Sequence, residues 1–115
     1  MLNRAALICI YRRPFVDWIN AVDPSPSSYV LTLEDVNDER TVYLLEAESE
    51  QELAEWLEDN HEQLFEQELA GWYTDPSLWP RDRSLELLKA WCSFALHTVV
   101  LDVGRSRLRD DGLDG

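Results

Sequence analysis

The chain has 115 residues, 45% of them hydrophobic and 29% charged, and it includes five tryptophans. This length predicts one domain, and so many large aromatic side chains indicate a packed core rather than a disordered chain. The formal net charge is −13. Such an acidic excess disfavours binding to nucleic acid or to an anionic membrane, because both need a basic surface.

The first predicted element is a strand. Residues Ala6–Tyr11 form an apolar run, which we expect to be buried on both faces of a sheet. The run also resembles a weak signal peptide, but two arginines and Pro14 follow it at once and no cleavage site closes it, which favours the strand. No apolar run approaches the roughly 20 residues that span a bilayer, so we expect a cytoplasmic protein without a membrane segment.

A first helix follows the strand. Pro14 suits its first turn, and apolar residues recur at helical spacing as far as Val22. The segment Asp23–Ser28 is rich in proline and serine and ends the helix in a loop.

The next segment predicts one short extended piece, one helical turn and a second strand. Residues 29–33 predict a brief extended segment. Thr32 with Asp35 resembles a capping box that begins a helical turn. The run Thr41–Leu45 is β-branched and aromatic, which is typical of a strand.

The longest predicted helix is strongly acidic on one side. Ser49 and Glu52 form a capping box that opens it, and it continues to about Leu69 with one apolar stripe. Five carboxylates line the opposite face: Glu52, Glu55, Asp59, Glu62 and Glu66. This face has no lysine or arginine one turn away, so its carboxylates repel one another. A face that is so costly for the helix is a candidate for binding a partner.

The acidity of the whole chain comes from this region. The stretch Glu34–Glu68 holds 14 acidic residues and one basic residue, Arg40, which gives it a net charge of −13. The remaining residues contribute 9 acidic and 9 basic side chains, which cancel. A localised negative field attracts a basic partner or simply favours solubility, and the sequence leaves both open.

The C-terminal part predicts a loop, a helix and a strand. Ser84 caps a third helix, and residues 96–103 predict a last strand with Val99–Leu101 buried in the sheet. We expect one domain over residues 1–104 and a mobile tail over 105–115. The elements together predict an α+β fold, a two-layer sandwich of a small three- or four-stranded sheet with about three helices on one face.

The loop between the longest helix and the third helix, residues 71–83, is unusually aromatic and is called the aromatic loop below. It holds Trp72, Tyr73 and Trp79, with Asp75 between them. The more usual interpretation is a loop pinned to the core by its tryptophans. The functional interpretation is a recognition loop, in which exposed rings beside Asp75 form a binding hot spot.

Residues that could carry catalysis or hold a metal are few. The two histidines, His61 and His97, could bind a divalent metal with Glu68, Asp75 and Asp102. No HxH or HExxH spacing supports such a site. Strand alternation also places Asp102 on the other face of the predicted strand from His97.

Other chemistry has less support. Cys92 or Ser93 beside His97 lacks the turn that presents a nucleophile. Cys9 and Cys92 lie among apolar neighbours and are expected to be buried, reduced thiols. We therefore predict no catalytic residue and no cofactor.

A set of spaced residues resembles a family of small bacterial proteins of unknown function. The matching residues are Trp56-Leu57-x-x-Asn60, Phe65-Glu66-x-Glu68-Leu69-x-x-Trp72-x-x-Asp75-x-x-x-Trp79-Pro80 and His97-x-x-x-x-Asp102. The resemblance extends from about residue 13 to residue 103 and implies a self-contained bacterial domain. It implies no activity.

These observations predict a non-enzymatic protein-binding domain. It would engage a basic protein, in the manner of an immunity protein, an inhibitor or a nucleic-acid mimic, through the acidic helix face and the aromatic loop with Asp75. The alternative is a metal-dependent hydrolase or other small enzyme around His61, His97 and nearby carboxylates such as Glu68. The chain would be a monomer, or a homodimer joined through exposed tryptophans.

Overall fold

The computed structural model describes residues 2–23 and 30–109 of the chain. In chain order the elements are β1 (Ala5–Tyr11), α1 (Arg13–Val22), α2 (Leu33–Val36), β2 (Val42–Leu45), α3 (Glu50–Ala70), a 3-10 turn (Pro76–Leu78), α4 (Leu85–Trp91) and β3 (Cys92–His97). The predicted α+β class with a small sheet is confirmed. Among the described residues, no helix combines the length and the apolar character needed to cross a membrane.

Side-chain caps begin three of the helices where the sequence predicts them. At α2, the Thr32 hydroxyl accepts from the Asp35 N–H at 3.1 Å and the Asp35 carboxylate accepts from the Thr32 N–H at 2.9 Å, a complete capping box. Ser49 and Ser84 each accept a backbone N–H three residues further on, at 3.1 and 3.2 Å. Each cap satisfies a donor that has no partner within its helix.

The three strands form an antiparallel sheet in the order β2-β1-β3. Along β1 the side chains alternate, and Ala5, Leu7 and Cys9 are buried under the helices. The prediction that β1 is buried on both faces is wrong, because Ile8 and Ile10 on its other side are only partly covered. The helices pack on one face of the sheet, as predicted.

The core lies between the sheet and these helices. Phe15 of α1 stacks on Tyr11 with ring centroids 3.9 Å apart, and the Trp91 ring meets Phe15 and Phe65 at 5.4 and 5.6 Å. Helix α3 contributes its apolar stripe, Leu53, Leu57, Leu64, Phe65 and Leu69. Burying each large apolar side chain contributes about 1.5–3 kcal/mol, so this layer supplies most of the drive to fold.

The last strand begins earlier than predicted. Helix α4 ends at Trp91, whose carbonyl accepts the Arg12 N–H at 2.7 Å, and the chain then pairs with β1 from Cys92 to His97. Because β1 is only seven residues long, the chain beyond His97 has little of β1 left to pair with. Val99 and Leu101, predicted to be buried, are 67% and 62% exposed.

Two further expectations fall partly outside the described residues. No strand is present over residues 30–33, and the helical turn after them is α2. Residues 105–109 of the predicted tail are exposed. Residues 110–115 of that tail, and residues 24–28 of the predicted loop, lie outside the described ranges.

Candidate functional site

A buried carboxylate forms the polar centre of the molecule. Glu68 of α3 is 6% exposed and is the one buried charged side chain among the described residues. The Tyr11 hydroxyl donates to one of its oxygens at 2.6 Å, and the Tyr43 hydroxyl donates to the other. The Trp72 indole N–H in turn donates to the Tyr11 oxygen at 3.0 Å. These four residues, Tyr11, Tyr43, Glu68 and Trp72, are called the Glu68 cluster below.

Helix and strand periodicity place Glu68 and Tyr43 on the inward sides of their elements. Glu68 follows Leu64 by four residues, so it lies on the inward stripe of α3. Tyr43 is paired with Leu7 across the sheet and shares its inward face. The Glu68 cluster therefore joins β1, β2, α3 and the aromatic loop.

Asn37 fixes the backbone beside the cluster. Its side-chain oxygen accepts the Tyr11 N–H at 2.9 Å, and its amide donates to the carbonyls of Tyr11 and Leu33, both at 3.1 Å. The residue after α2 is thus tied to the end of β1, which holds the Tyr11 ring in position.

The cluster keeps a carboxylate inside the core without a basic partner among the described residues. Burying a carboxylate is costly unless hydrogen bonds replace water, and the C-terminal end of α3 is unfavourable for negative charge. Burial, and then the charge of Glu68, raise the pKa of Tyr11 and of Tyr43 well above the usual value of 10. Both hydroxyls therefore stay protonated and available as donors.

The two cysteines lie beside the cluster and are buried and unpaired, as predicted. Burial, and then the charge of Glu68, raise the pKa of Cys92 to about 12 and that of Cys9 further. A thiol with so high a pKa is protonated at neutral pH and is a poor nucleophile. The cysteines are therefore part of the core.

The predicted acidic face divides into two parts. Glu52, Glu55, Asp59 and Glu62 are exposed, and none forms an ion pair with a lysine or arginine of the described residues. These four carboxylates are called the acidic row. The fifth predicted member, Glu66, is half-buried and accepts from Arg83 at 3.0 Å.

The aromatic loop is pinned to the core. Trp72, Tyr73 and Trp79 are half-buried, and the Tyr73 hydroxyl donates to the Ile19 carbonyl at 2.7 Å. The Trp79 indole donates to the Tyr73 carbonyl at 2.7 Å. The loop is therefore pinned to the core, as the more usual of the two interpretations expects, and the recognition role of its rings stays a prediction.

Asp75 has a local role in this loop. It is exposed, and it accepts the Ser77 N–H at 3.0 Å and the Ser77 hydroxyl at 2.8 Å, which opens the 3-10 turn. These bonds lower the pKa of Asp75. All five tryptophans of the chain are half-buried, and the tryptophan-mediated homodimer stays a prediction.

The residues proposed for a metal lie in separate surroundings. His61 is half-buried on α3 with its Nδ1 3.1 Å from the Leu57 carbonyl, and His97 is exposed at the end of β3 opposite Ala6. Glu68 is engaged by its two tyrosines. Within the described ranges, no group of three or more His, Cys, Asp or Glu side chains is placed to hold a metal ion.

Sequence reasoning missed the Glu68 cluster. Glu68 was counted among the acids of α3, although its spacing from Leu64 and Leu57 places it on the buried stripe. That spacing was an available signal. The pairing with Tyr11 and Tyr43 was not available, because it depends on how the helix lies across the sheet.

Comparisons of the chain with protein-family models, with curated proteins and with solved structures found no match. The fold and its surfaces define a small acidic α+β domain.

Proposed function

We propose that this protein is a non-enzymatic binding domain that engages a basic protein through the acidic row. One observation supports the proposal above the others. Four exposed carboxylates follow one side of α3 without an ion-pair partner among the described residues.

The spacing of the acidic row suits an extended contact. Glu52 and Glu62 are ten residues apart on α3, which corresponds to about 15 Å along the helix axis. Like charges one turn apart raise the free energy of a helix. A partner that supplies lysine or arginine side chains relieves this repulsion, and complementary charge also accelerates association.

The aromatic loop supports this surface from one end. Arg83 neutralises Glu66, lies 5.9 Å from the Trp79 ring centroid and donates to the Pro80 carbonyl at 2.7 Å. Because Glu66 has this partner, the carboxylates of this face that lack an ion-pair partner among the described residues end at Glu62. In this proposal the partner contacts the helix, and the loop holds the C-terminal half of α3 in place.

The test is a pull-down from cell lysate at low salt with two variants of equal charge. The first neutralises the row, Glu55→Gln, Asp59→Asn and Glu62→Gln. The second removes three exposed acids elsewhere, Glu34→Gln, Asp38→Asn and Glu39→Gln. We expect the wild type and the second variant to retain a basic protein and the first to bind it about tenfold more weakly, with binding reduced at high salt.

Two results would count against the proposal. One is that no basic protein is retained at low salt. The other is that both variants bind equally, since net charge rather than the acidic row would then be responsible.

A further inference from the structure

The sheet face turned away from the helices is apolar and is exposed to solvent in part along its whole length. It is formed by alternate residues of the three strands, which the register places side by side: Ala6, Ile8, Ile10, Val42, Leu44 and Ala95. Val42 and Leu44 are each 52% exposed. These six residues are called the open face below.

This composition is unusual for a solvated face. Antiparallel strands with one face in water normally alternate apolar and polar residues, whereas β1 and β2 are apolar on both sides. Polar residues lie only at the margins, among them Ser93, His97 and the Arg4–Glu46 ion pair at 3.5 Å. An apolar centre with a polar rim is the usual anatomy of a protein interface.

The chain after β3 extends the open face. The Leu2 N–H donates to the Val100 carbonyl at 2.7 Å, so this segment stays beside the start of β1. Val99 and Leu101, which lie in this segment after the end of β3, are exposed. From strand spacing and rise, the sheet measures about 14 Å across its three strands and about 23 Å along β1, which gives roughly 300 Å².

We infer that the open face pairs with the open face of a second copy of this chain. Roughly 300 Å² per copy is well below the about 800 Å² per partner of a stable interface, so the contact belongs with weak, transient ones. The inferred assembly is therefore a reversible homodimer of folded monomers. This inference does not rest on the proposed function.

Charge supports a second copy as the occupant. Helix α3 packs on the opposite side of the sheet from the open face, and of the acidic row only Glu52 lies near the margin of that face, where it lines a cavity with Arg4 and Glu46. Two sheets stacked about 10 Å apart put a helix layer outside each of them, so the remaining carboxylates of the two acidic rows are separated by much more than the Debye length of about 8 Å. The mutual repulsion of two acidic chains is therefore least in this arrangement.

The charged ends of β2 also indicate the orientation. Glu46, which is paired with Arg4 of its own chain at 3.5 Å, directly follows this strand, and Arg40 lies two residues before it; continued alternation places both on the side of Val42 and Leu44. With the two-fold axis across the strands, each β2 lies antiparallel over its equivalent. Glu46 of one copy then faces Arg40 of the other, and the contact is made twice, as in an isologous interface.

The experiment is sedimentation equilibrium of the full chain from low micromolar to near-millimolar concentration. We expect the mass to rise from 13.4 kDa towards twice that value, with a dissociation constant in the micromolar range. Val42→Lys, which places a charge on the open face beside Ile8 of the central strand, should weaken the dimer about tenfold or more.

The matched control is Val30→Lys, the same change at a valine that is 64% exposed and lies outside the sheet. It should leave the dissociation constant unchanged. A wild-type chain of 13.4 kDa at every concentration would overturn the inference, and so would equal dimerisation of both variants. Leu44→Thr, a milder change at the same face, replaces Val42→Lys should that variant fail to fold.

Two further measurements separate this dimer from the proposed binding of a basic protein and test its orientation. High salt should weaken binding through the acidic row much more than it weakens the dimer, because the first depends on attraction between opposite charges and the second has an apolar centre. Glu46→Arg and Arg40→Glu should each weaken the dimer, and the double variant should restore it. Additive loss in the double variant would overturn the antiparallel orientation.

Discussion

Helix α3 carries the same chemical group in two contrasting environments. On its inner side Glu68 lies in the core, with both carboxylate oxygens accepting from tyrosine hydroxyls. On its outer side the acidic row lies in water without an ion-pair partner among the described residues. A buried carboxylate is tolerated only where the fold supplies its donors, whereas an exposed one leaves its interactions to solvent or to another molecule.

The contrast separates structural from interacting charge. Glu68 belongs to the same acidic stretch as the row, yet it joins four parts of the fold and is inaccessible to a partner. Removing carboxylates or their donors on each side of α3 tests the division between structural and interacting charge.

The largest effect is expected from removing the inner carboxylate. Glu68→Ala leaves a cavity and two buried hydroxyls without their acceptor, and should lower the free energy of unfolding by about 3 kcal/mol. Urea denaturation followed by tryptophan fluorescence measures this loss. The control is Glu62→Ala on the outer side of the same helix, with an expected change within about 0.5 kcal/mol. Equal stabilities of the two variants would show that the inner carboxylate is not structural.

A smaller, graded effect is expected from the two donors. Tyr43→Phe removes one hydrogen bond to the carboxylate, at a cost of about 1.5–2 kcal/mol. Tyr11→Phe also removes the acceptor of the Trp72 indole N–H, and should cost about 0.5–1 kcal/mol more. Denaturation curves of both variants give the order, and the reverse order would contradict the arrangement of the Glu68 cluster.

The smallest change in the free energy of unfolding is expected on the outer side of α3, and there it is an increase rather than a loss. Neutralising the acidic row by Glu55→Gln, Asp59→Asn and Glu62→Gln removes repulsion between turns, and should stabilise the chain by about 0.3–1 kcal/mol at low salt. The gain should disappear at high salt, where the charges are screened. Thermal unfolding at two salt concentrations measures it. A destabilised variant would indicate that the acidic row already has partners within the molecule.

Most of the local structure was predictable because short-range chemistry determines it. The caps at Thr32, Ser49 and Ser84 begin their helices as predicted. The apolar stripe of α3 is also the buried one. These features depend on residues three or four apart, whose contacts a helix fixes by itself.

The errors come from the sheet. The apolar run 96–103 was assigned to a buried strand, but β3 ends at His97 because the short β1 offers little further pairing. The apolar run Ala6–Tyr11 predicts a strand that is covered on both sides, but the helices pack on one side only. Apolar character indicates that a segment can be buried, and only the arrangement of other elements decides whether it is.

The sequence by itself determined the fold class, the helix starts, the acidic row and the buried thiols, because each follows from composition or from contacts within a few residues. Only the tertiary structure decided that Glu68 meets Tyr11 and Tyr43, that the aromatic loop turns its polar atoms inward, and that the open face is partly exposed to solvent. These outcomes depend on pairings between residues far apart in the chain. Their geometry is set when helices and sheet pack together, and no local pattern specifies it.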